Sequence, residues 1–360
     1  MGTSRWAGLW RRAPLAAGLV VAYIAAMTAF NTWKPRLLIL QSFSQSLRQV
    51  RDTDAGLKQP LLANRLPLSL RWYYLNADQA TPDATGHPVA MGVRRVIEDF
   101  NPTLIVAVDD PVNLLLSHAP RLWQGRRLFY VGINRAPASF GYSAAAGVTG
   151  IRDLPPTHGL ADLLVAIRPA GRLRLAVLGP ATALGQDLGQ SLSAYRWSPQ
   201  RLVASYRAAT WSQWQQAVRR ANQQADVVLV TSIYGVRRSA DGPLVPPADV
   251  VRWTEANSPA ALPIGLSVDY VPLGGGLAVT SSPRYVGTIA METVLRWLGP
   301  NLAGAMPAVH LANHFDIGLR EAALRRRGLH LPLVYREAAR LSGQWVPVDG
   351  VRSNNDSDRP

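Results

Sequence analysis

The sequence alternates short, wholly apolar runs with amphipathic stretches, and each apolar run is followed by small or polar residues. Clear examples are residues 36–40 (RLLIL), 103–108 (TLIVAV) and 127–133 (RLFYVGI). Continuous apolar strands that alternate with helices are typical of a parallel sheet whose two faces are both covered. The pattern therefore predicts an α/β fold built on parallel sheets.

The same pattern restarts near residue 148. Strands are predicted at 173–178 (LRLAVL) and 226–231 (DVVLVT), with a helix at 211–224 between them. A chain of 360 residues is long enough for two domains of ordinary size. Two successive units of this kind predict two Rossmann-like lobes.

The boundaries of these lobes follow from where the pattern breaks. Three glycines at 274–276 precede an apolar run, and we interpret them as a backbone crossover into the first lobe, because glycine allows positive φ. The polar end of the chain, 354–360, is expected to be disordered. We expect lobe one over 36–149 plus about 275–305, and lobe two over about 150–272 plus a C-terminal return segment.

An uncharged apolar segment lies near the N-terminus. Residues 13–30 contain no charged side chain, follow Arg11 and Arg12, and precede Lys34. A basic flank before an apolar run is typical of export signals, and as a helix the run is just long enough to cross a thin bilayer. We expect an apolar helix here, with 1–34 as a cleaved signal peptide or a retained signal anchor that contacts the membrane through 13–30. Either alternative predicts a periplasmic protein, soluble or anchored to the inner membrane.

Composition excludes several classes of function. The chain has no cysteine, which rules out disulfides, thiolate metal sites and a cysteine nucleophile. It has 38 Lys plus Arg against 23 Asp plus Glu, but no nucleic-acid-binding motif accompanies this charge, so a solvated basic face is favoured. His310 and His314 are four residues apart without a glutamate between them, which favours structural histidines over a metal site.

No catalytic motif is present. The loop after the first predicted strand, QSFSQS at 41–46, has no glycine and so lacks the G-x-G-x-x-G of dinucleotide enzymes. The chain also lacks a P-loop and the G-x-S-x-G elbow of α/β-hydrolases. The sequence therefore predicts neither an enzyme nor a cofactor.

Five short motifs, taken in order, resemble a known family. They are LIVAVDD at 104–110, YVGIN at 130–134, VTGI at 148–151, TWSQW at 210–214 and ALRRRGLHLPL at 323–333. The chain resembles, over about residues 36–342, the substrate-binding proteins of ABC transporters, of periplasmic-binding-protein type I, in the group with tryptophan- and tyrosine-type binders. The resemblance implies two lobes joined by crossover strands, with a ligand held between them. It also implies an amino acid as the ligand class and an ABC permease as the partner.

Polar and aromatic side chains follow the predicted strands of both lobes. In open parallel sheets, ligands bind outside the carboxyl ends of the strands. A helix N-terminus there can hold a carboxylate, an aspartate can hold an ammonium group, and an aromatic ring can stack on an apolar part of the ligand. The predicted ligand-binding residues are Ser42, Phe43, Asp109, Asp110, Asn134, Thr182, Tyr234, Asp269 and Tyr270.

Structural roles compete at several of these positions. Asp110 precedes Pro111 at a predicted helix start, which suits an N-cap at least as well as a ligand contact. Asn134 can cap a turn, and Tyr234 and Tyr270 can be half-buried packing residues. The sequence leaves these alternatives open.

The function expected from these observations is capture of a small solute by hinge closure of the two lobes. The alternative is a membrane-anchored periplasmic sensor that uses the same cleft and signals to a separate partner protein. The loops do not select among amino acids, nucleobases and small peptides as the ligand.

Overall fold

The computed structural model describes residues 4–77, 88–142, 147–169, 171–299 and 314–347, with the side chains of the first helix described from residue 17. The tail predicted at 354–360 and the role expected for His310 lie outside the described residues. His314 stacks on Tyr285, with 3.9 Å between the ring centroids.

The chain begins with a long helix, α1 (Ser4–Trp33). The described side chains of this helix, from residue 17, are exposed as far as Trp33. Among the helices of the described residues, none has the length and apolar character that a membrane span requires, so the span predicted for residues 13–30 is not found.

The first lobe is built on a five-stranded parallel sheet. Its strands are β1 (Arg36–Gln41), β2 (Ser69–Tyr74), β3 (Leu104–Val108), β4 (Arg127–Ile133) and β5 (Val148–Arg152). They lie in the order β2-β1-β3-β4-β5. Leu38 and Leu40 of β1 pack into one apolar core, while Leu37 and Ile39 pack into another on the opposite face. The prediction of a parallel sheet buried on both sides is confirmed.

Helices cover both faces of this sheet. The core around Leu38 includes side chains of α3 (Pro88–Phe100) and α4 (Asp110–His118). Two short 3₁₀ helices, Pro120–Leu122 and Pro137–Phe140, also contribute side chains to it. The core around Leu37 includes Leu57 of α2 (Arg48–Ala63) and Met291 of α9 (Pro283–Leu298). The late helix α9 therefore belongs to the packing of the first lobe.

The second lobe is built on a seven-stranded sheet. Its strands are β6 (Arg174–Pro180), β7 (Arg201–Ala208), β8 (Val227–Val230), β9 (Leu262–Gly265), β10 (Leu277–Ser281), β11 (Phe315–Arg320) and β12 (Trp345–Val346). They lie in the order β12-β11-β10-β9-β8-β6-β7, and the β10–β11 pair is antiparallel while the other pairs are parallel.

Helices also cover both faces of the second sheet. The helices α5 (Thr157–Ile167), α6 (Ala183–Ala194), α10 (Glu321–Arg326) and α11 (Leu333–Leu341) contribute to one core. The helices α7 (Trp211–Gln224) and α8 (Pro247–Ala256) contribute to the other, in which Trp214 and Tyr270 are fully buried. The chain thus has two sheets, each covered by helices on both faces, as the repeated pattern predicts.

The return to the first lobe lies later than the three glycines at 274–276 suggest. The strand β10 that follows them is part of the second sheet, because Leu277 and Val279 pack into a core of that lobe. The crossing therefore lies after Ser281, between β10 and α9, and only the helical part of the segment from about 275 packs on the first lobe. An earlier crossing joins β5 to α5 through residues 153–156.

Two glycines allow α9 to lie directly against α2. A Cβ placed on Gly56 would overlap the backbone oxygen of Arg284, and one placed on Gly287 would overlap that of Thr53. Any side chain at either position would therefore force the two helices apart. This close approach anchors the segment that follows the second crossing.

Candidate functional site

A cavity of about 120 Å³ lies between the two lobes, where strands of both sheets end. Asp109 follows β3, and Asn134 follows β4 in the first lobe. Ser232 and Tyr234 come after β8 in the second lobe. The rule that ligands bind beyond the carboxyl ends of parallel strands therefore selects the same place in both lobes.

Asp109 sits on the most unusual backbone of the cavity. Its φ is 67° and its ψ is 168°, a combination that strains residues other than glycine by about 1–3 kcal/mol. The Asn113 amide holds this backbone by donating to the Asp109 carbonyl oxygen at 2.7 Å and to that of Ala107 at 3.1 Å. Strain of this kind is concentrated at functional positions, so it supports a role for Asp109 in the cavity.

The Asp109 side chain is 9% exposed. Burial raises the pKa of its carboxyl well above the ordinary value, and the neighbouring carboxylates of Asp153, Asp110 and Asp54 raise it further. Within the described residues no side-chain donor reaches this carboxylate. A buried acid without a partner favours uptake of a proton or of a positively charged group.

Asp110 and Asn134 are in contact through the backbone of Asn134 and the side chain of Asp110. The Asn134 N–H donates to Asp110 Oδ1 at 3.1 Å, and Arg152 Nη2 donates to the Asn134 carbonyl oxygen at 2.8 Å. Burial raises the pKa of Asp110, while the hydrogen bond from Asn134 and the charge of Arg135 lower it. Asp110 is the first residue of α4 and does not cap it, since the N-cap position belongs to Asp109. The N-cap role weighed for Asp110 is therefore wrong.

In the second lobe, Tyr234 and Asp269 form a pair at the cavity. The Tyr234 hydroxyl donates to Asp269 Oδ2 at 2.5 Å, and the Tyr234 N–H donates to the Ser232 hydroxyl at 3.2 Å. Burial, together with the bond to Asp269, raises the pKa of Tyr234. Tyr234 is 41% exposed, so part of it is accessible to a solute.

Two of the crossings between the lobes also line the cavity. Asp153 lies on the first crossing and Ser281 at the start of the second, and the Ser281 hydroxyl hydrogen-bonds the Asp153 carboxyl. Burial raises the pKa of Asp153 to about 6, although the bond from Ser281 acts in the opposite direction. The ionisable carboxyl of Asp153 therefore links two of the segments that connect the lobes.

Six of the nine predicted residues are not part of the cavity lining. Asp110 and Asp269 are hydrogen-bonded to the lining residues Asn134 and Tyr234. The other four are Ser42, Phe43, Thr182 and Tyr270. Ser42 is buried and structural, because its hydroxyl donates to the Val108 carbonyl oxygen at 2.6 Å and accepts from the Val112 N–H at 3.0 Å. Phe43 is half-buried outside the lining. Thr182 caps α6 by accepting from the Gly185 N–H at 3.2 Å.

Tyr270 requires the clearest correction. It is fully buried in a core of the second lobe, with its ring against the Cα atoms of Gly265 and Gly275. The chain turns immediately after Asp269, so consecutive side chains point to different environments. Tyr270 is therefore a packing residue, and more deeply buried than the half-buried alternative weighed for it.

Sequence reasoning missed Asp153, Thr280 and Ser281, all of which line the cavity. Asp153 directly follows β5, so the strand-end rule would have found it if residues 148–151 had been treated as a strand with a site at its end. Thr280 and Ser281 end β10, which was assigned to the crossover.

Comparisons with known proteins identify the fold. No protein-family model matches the chain, and no curated protein matches its sequence. A ligand-free, open substrate-binding protein with adhesive properties from Clostridium difficile gives a TM-score of 0.60 at 14% identity, covering 87% of this chain and 99% of that one. The ABC domain from Streptococcus pneumonia in complex with L-Trp gives 0.57 at 14% identity, covering 86% and 100%.

A third solved structure extends the range of bound solutes. The ABC transporter periplasmic solute binding protein from Actinobacillus succinogenes, with bound D-allose, gives a TM-score of 0.50 at 13% identity, covering 81% of this chain and all of that one, 100%. Identities this low show the fold alone. The chain has the two-lobed fold of the periplasmic solute-binding proteins of ABC transporters, as the motif resemblance implies.

Proposed function

We propose that this protein is the solute-binding component of an ABC transporter, which captures a small solute between its lobes and presents it to a permease in the periplasm. The observation that carries the proposal is the cavity itself, which is lined by Asp109 of one lobe and Tyr234 of the other. A solute that touches both lobes favours the closed arrangement, because only that arrangement makes both sets of contacts.

The lining of the cavity suits binding without catalysis. Its polar side chains are serines, threonines, two amides, one tyrosine and two carboxylates, and Asn113 holds the strained backbone of Asp109 in place. The strand-end loops provide recognition and the crossings provide movement. No observation on the described residues favours the alternative of a membrane-anchored sensor.

The test is capture of a solute by the full chain. Purified protein is equilibrated with a metabolite extract, washed and denatured, and the released compounds are identified by mass spectrometry. We expect at least one small solute to be enriched, and to raise the melting temperature when added back; at ~100 times its dissociation constant, a ligand adds ~2.7 kcal/mol of stability.

A matched pair of variants makes the test specific to the cavity. Leu184 lines the cavity and is 36% exposed, so Leu184→Trp should fill its opening without disturbing a core. Leu62 lies outside the lining and is 88% exposed, so Leu62→Trp is the control. We expect enrichment with the wild type and Leu62→Trp, and its loss with Leu184→Trp. Equal recovery from all three, or recovery of no solute from any, would overturn the proposal.

A further inference from the structure

We infer that the cavity selects a small aliphatic solute that carries a protonated amine and lacks a carboxylate or phosphate group. This inference rests on the proposed function and adds the chemical class of the solute. It is carried by the charges, the unpartnered polar atoms and the apolar surface of the cavity lining.

The cavity lining is acidic, although the chain as a whole is strongly basic. Asp109 and Asp153 line the cavity, whereas no lysine, arginine or histidine of the described residues does so. Four arginines are adjacent in sequence to lining residues, and each has another partner. Arg48 and Arg284 pair with Asp52 at 3.4 and 3.6 Å. Arg135 pairs with Asp187 at 3.6 Å, and Arg152 donates to the Asn134 carbonyl oxygen at 2.8 Å. An anionic solute would add negative charge where no lining cation can balance it.

The Asp109 carboxylate is the strongest pointer to a cation. It is 9% exposed and has no side-chain partner within the described part of the chain. It lies beside Gly132, which has no side chain and where an added Cβ would be only 3.1 Å from Oδ1. An ammonium group would supply both the missing charge and the missing hydrogen-bond donors.

Two further polar atoms of the lining residues have no partner among the described residues. They are the hydroxyl oxygens of Thr231 and Thr280, both on buried residues at strand ends. A buried hydroxyl without a partner costs about 1–3 kcal/mol, and such groups are satisfied when a polar ligand or water arrives. A donor-rich ammonium group fits this set better than a second carboxylate.

The remaining lining restricts the body of the solute. Aliphatic side chains such as Val131, Leu184, Leu188 and Val286 line the cavity. An alkyl chain buries well against such surfaces. A metal ion is a poorer candidate for the cation, because the described residues contain no group of three or more ligands placed to hold one.

The test uses four compounds that separate the amine from the acid. They are 3-methylbutylamine, L-leucine, which adds a carboxylate to the same skeleton, 4-methylpentanoate, which carries only the acid, and the neutral sugar D-allose. Binding to the full chain is measured by calorimetry and by the shift in melting temperature. We expect 3-methylbutylamine to bind at least tenfold more tightly than L-leucine, and neither 4-methylpentanoate nor D-allose to shift the melting temperature.

Variants tie the preference to Asp109. Asp109→Asn keeps the shape and tolerates the positive φ, and we expect it to weaken amine binding by about tenfold or more. Glu98→Gln removes one charge from an exposed pair on α3 and should leave binding unchanged. Equal or tighter binding of L-leucine, 4-methylpentanoate or D-allose overturns the amine preference and still supports solute binding. Binding of none of the four also overturns it, while the extract experiment with Leu184→Trp decides the proposed function separately.

Discussion

Arg135 in the first lobe and Asp187 on α6 of the second lobe form an ion pair beside the cleft, with 3.6 Å between Nε and Oδ2. Their side chains are 32% and 31% exposed, so the pair contributes less than about 1 kcal/mol. A contribution of that size is sufficient to change an open–closed population several-fold. We therefore expect this pair, which we call the latch, to favour the arrangement of the lobes seen in this structure.

The latch predicts a change in shape without a change in stability. Arg135→Gln should increase the radius of gyration of the solute-free protein in X-ray scattering, and should weaken solute binding by a few-fold. The exchange Arg135→Asp with Asp187→Arg should restore both, and about 0.5 M NaCl should abolish the difference between variant and wild type. Arg94→Gln, which breaks a pair inside α3, is the control. Identical scattering from all variants would contradict the latch.

Asp153 predicts a specific dependence of stability on pH. Because folding raises the pKa of this carboxyl from 3.8 to about 6, its contribution to the free energy of unfolding is complete below the lower value and is lost as pH rises through the upper one. Asp153→Asn removes this loss. Relative to the wild type, the variant should therefore gain on the order of 1–2 kcal/mol in urea unfolding as pH rises from about 4 to about 7. The gain is limited to this size because Asp153 is half-buried and solvent screens its charge.

A second carboxyl provides a control of opposite sign. Arg174 lowers the pKa of Asp226, so that carboxyl adds stability above its unfolded value and loses it as pH falls. Asp226→Asn should therefore lose stability relative to the wild type as pH rises. Parallel curves of stability against pH for Asp153→Asn and the wild type would show that burial at the crossing does not raise the pKa of Asp153.

The close contact between α2 and α9 predicts that one added methyl group at this contact lowers the stability of the protein. Gly287→Ala should destabilise the protein by about 1–3 kcal/mol, and Gly56→Ala by a similar amount, because the new Cβ would overlap the backbone of the facing helix. Gly189→Ala in α6 is the matched control, since its nearest neighbour would be 4.0 Å away. The control should be neutral or stabilising by up to ~1 kcal/mol. Thermal unfolding measures all three, and equal melting temperatures would refute the close packing.

Tyr234 and Tyr270 are predicted to respond differently to the same substitution. Tyr234→Ala should weaken solute binding and change the free energy of unfolding by less than about 1 kcal/mol, because the side chain is partly exposed at the cavity. Tyr270→Ala should cost about 3–5 kcal/mol, because a fully buried ring is removed from the core. Chemical unfolding and calorimetry separate these effects. A stable Tyr270→Ala protein that no longer binds solute would return Tyr270 to the binding site.

Much of the architecture could be predicted from periodicity alone. Apolar strands such as 104–108 are buried at every position, which only a sheet covered on both faces explains, so their pattern identifies the sheet without knowledge of its neighbours. The order of strands could not be read in this way. Whether β10 joins one sheet or the other depends on contacts with β9 and β11, which are distant in sequence, and the preceding glycines gave no information about them.

The candidate site shows the same division. The strand-end rule located Asp109, Asn134 and Tyr234 at the cavity, because it depends only on where the backbone leaves the sheet. It could not give the direction of a side chain. Ser42 and Tyr270 follow strands as well, but neither side chain points into the cavity. The Ser42 hydroxyl accepts a hydrogen bond from the backbone of α4, and the Tyr270 ring packs against two glycines.

Prolines lie on two of the segments that connect the lobes. Pro155 and Pro156 follow Asp153 on the first crossing, and Pro283 begins α9 soon after Ser281 on the second. Each ring fixes one backbone torsion, so rotation at these two connections is confined to the few bonds around Asp153 and Ser281. Along these two connections the remaining torsional freedom is therefore concentrated beside the Asp153 carboxyl.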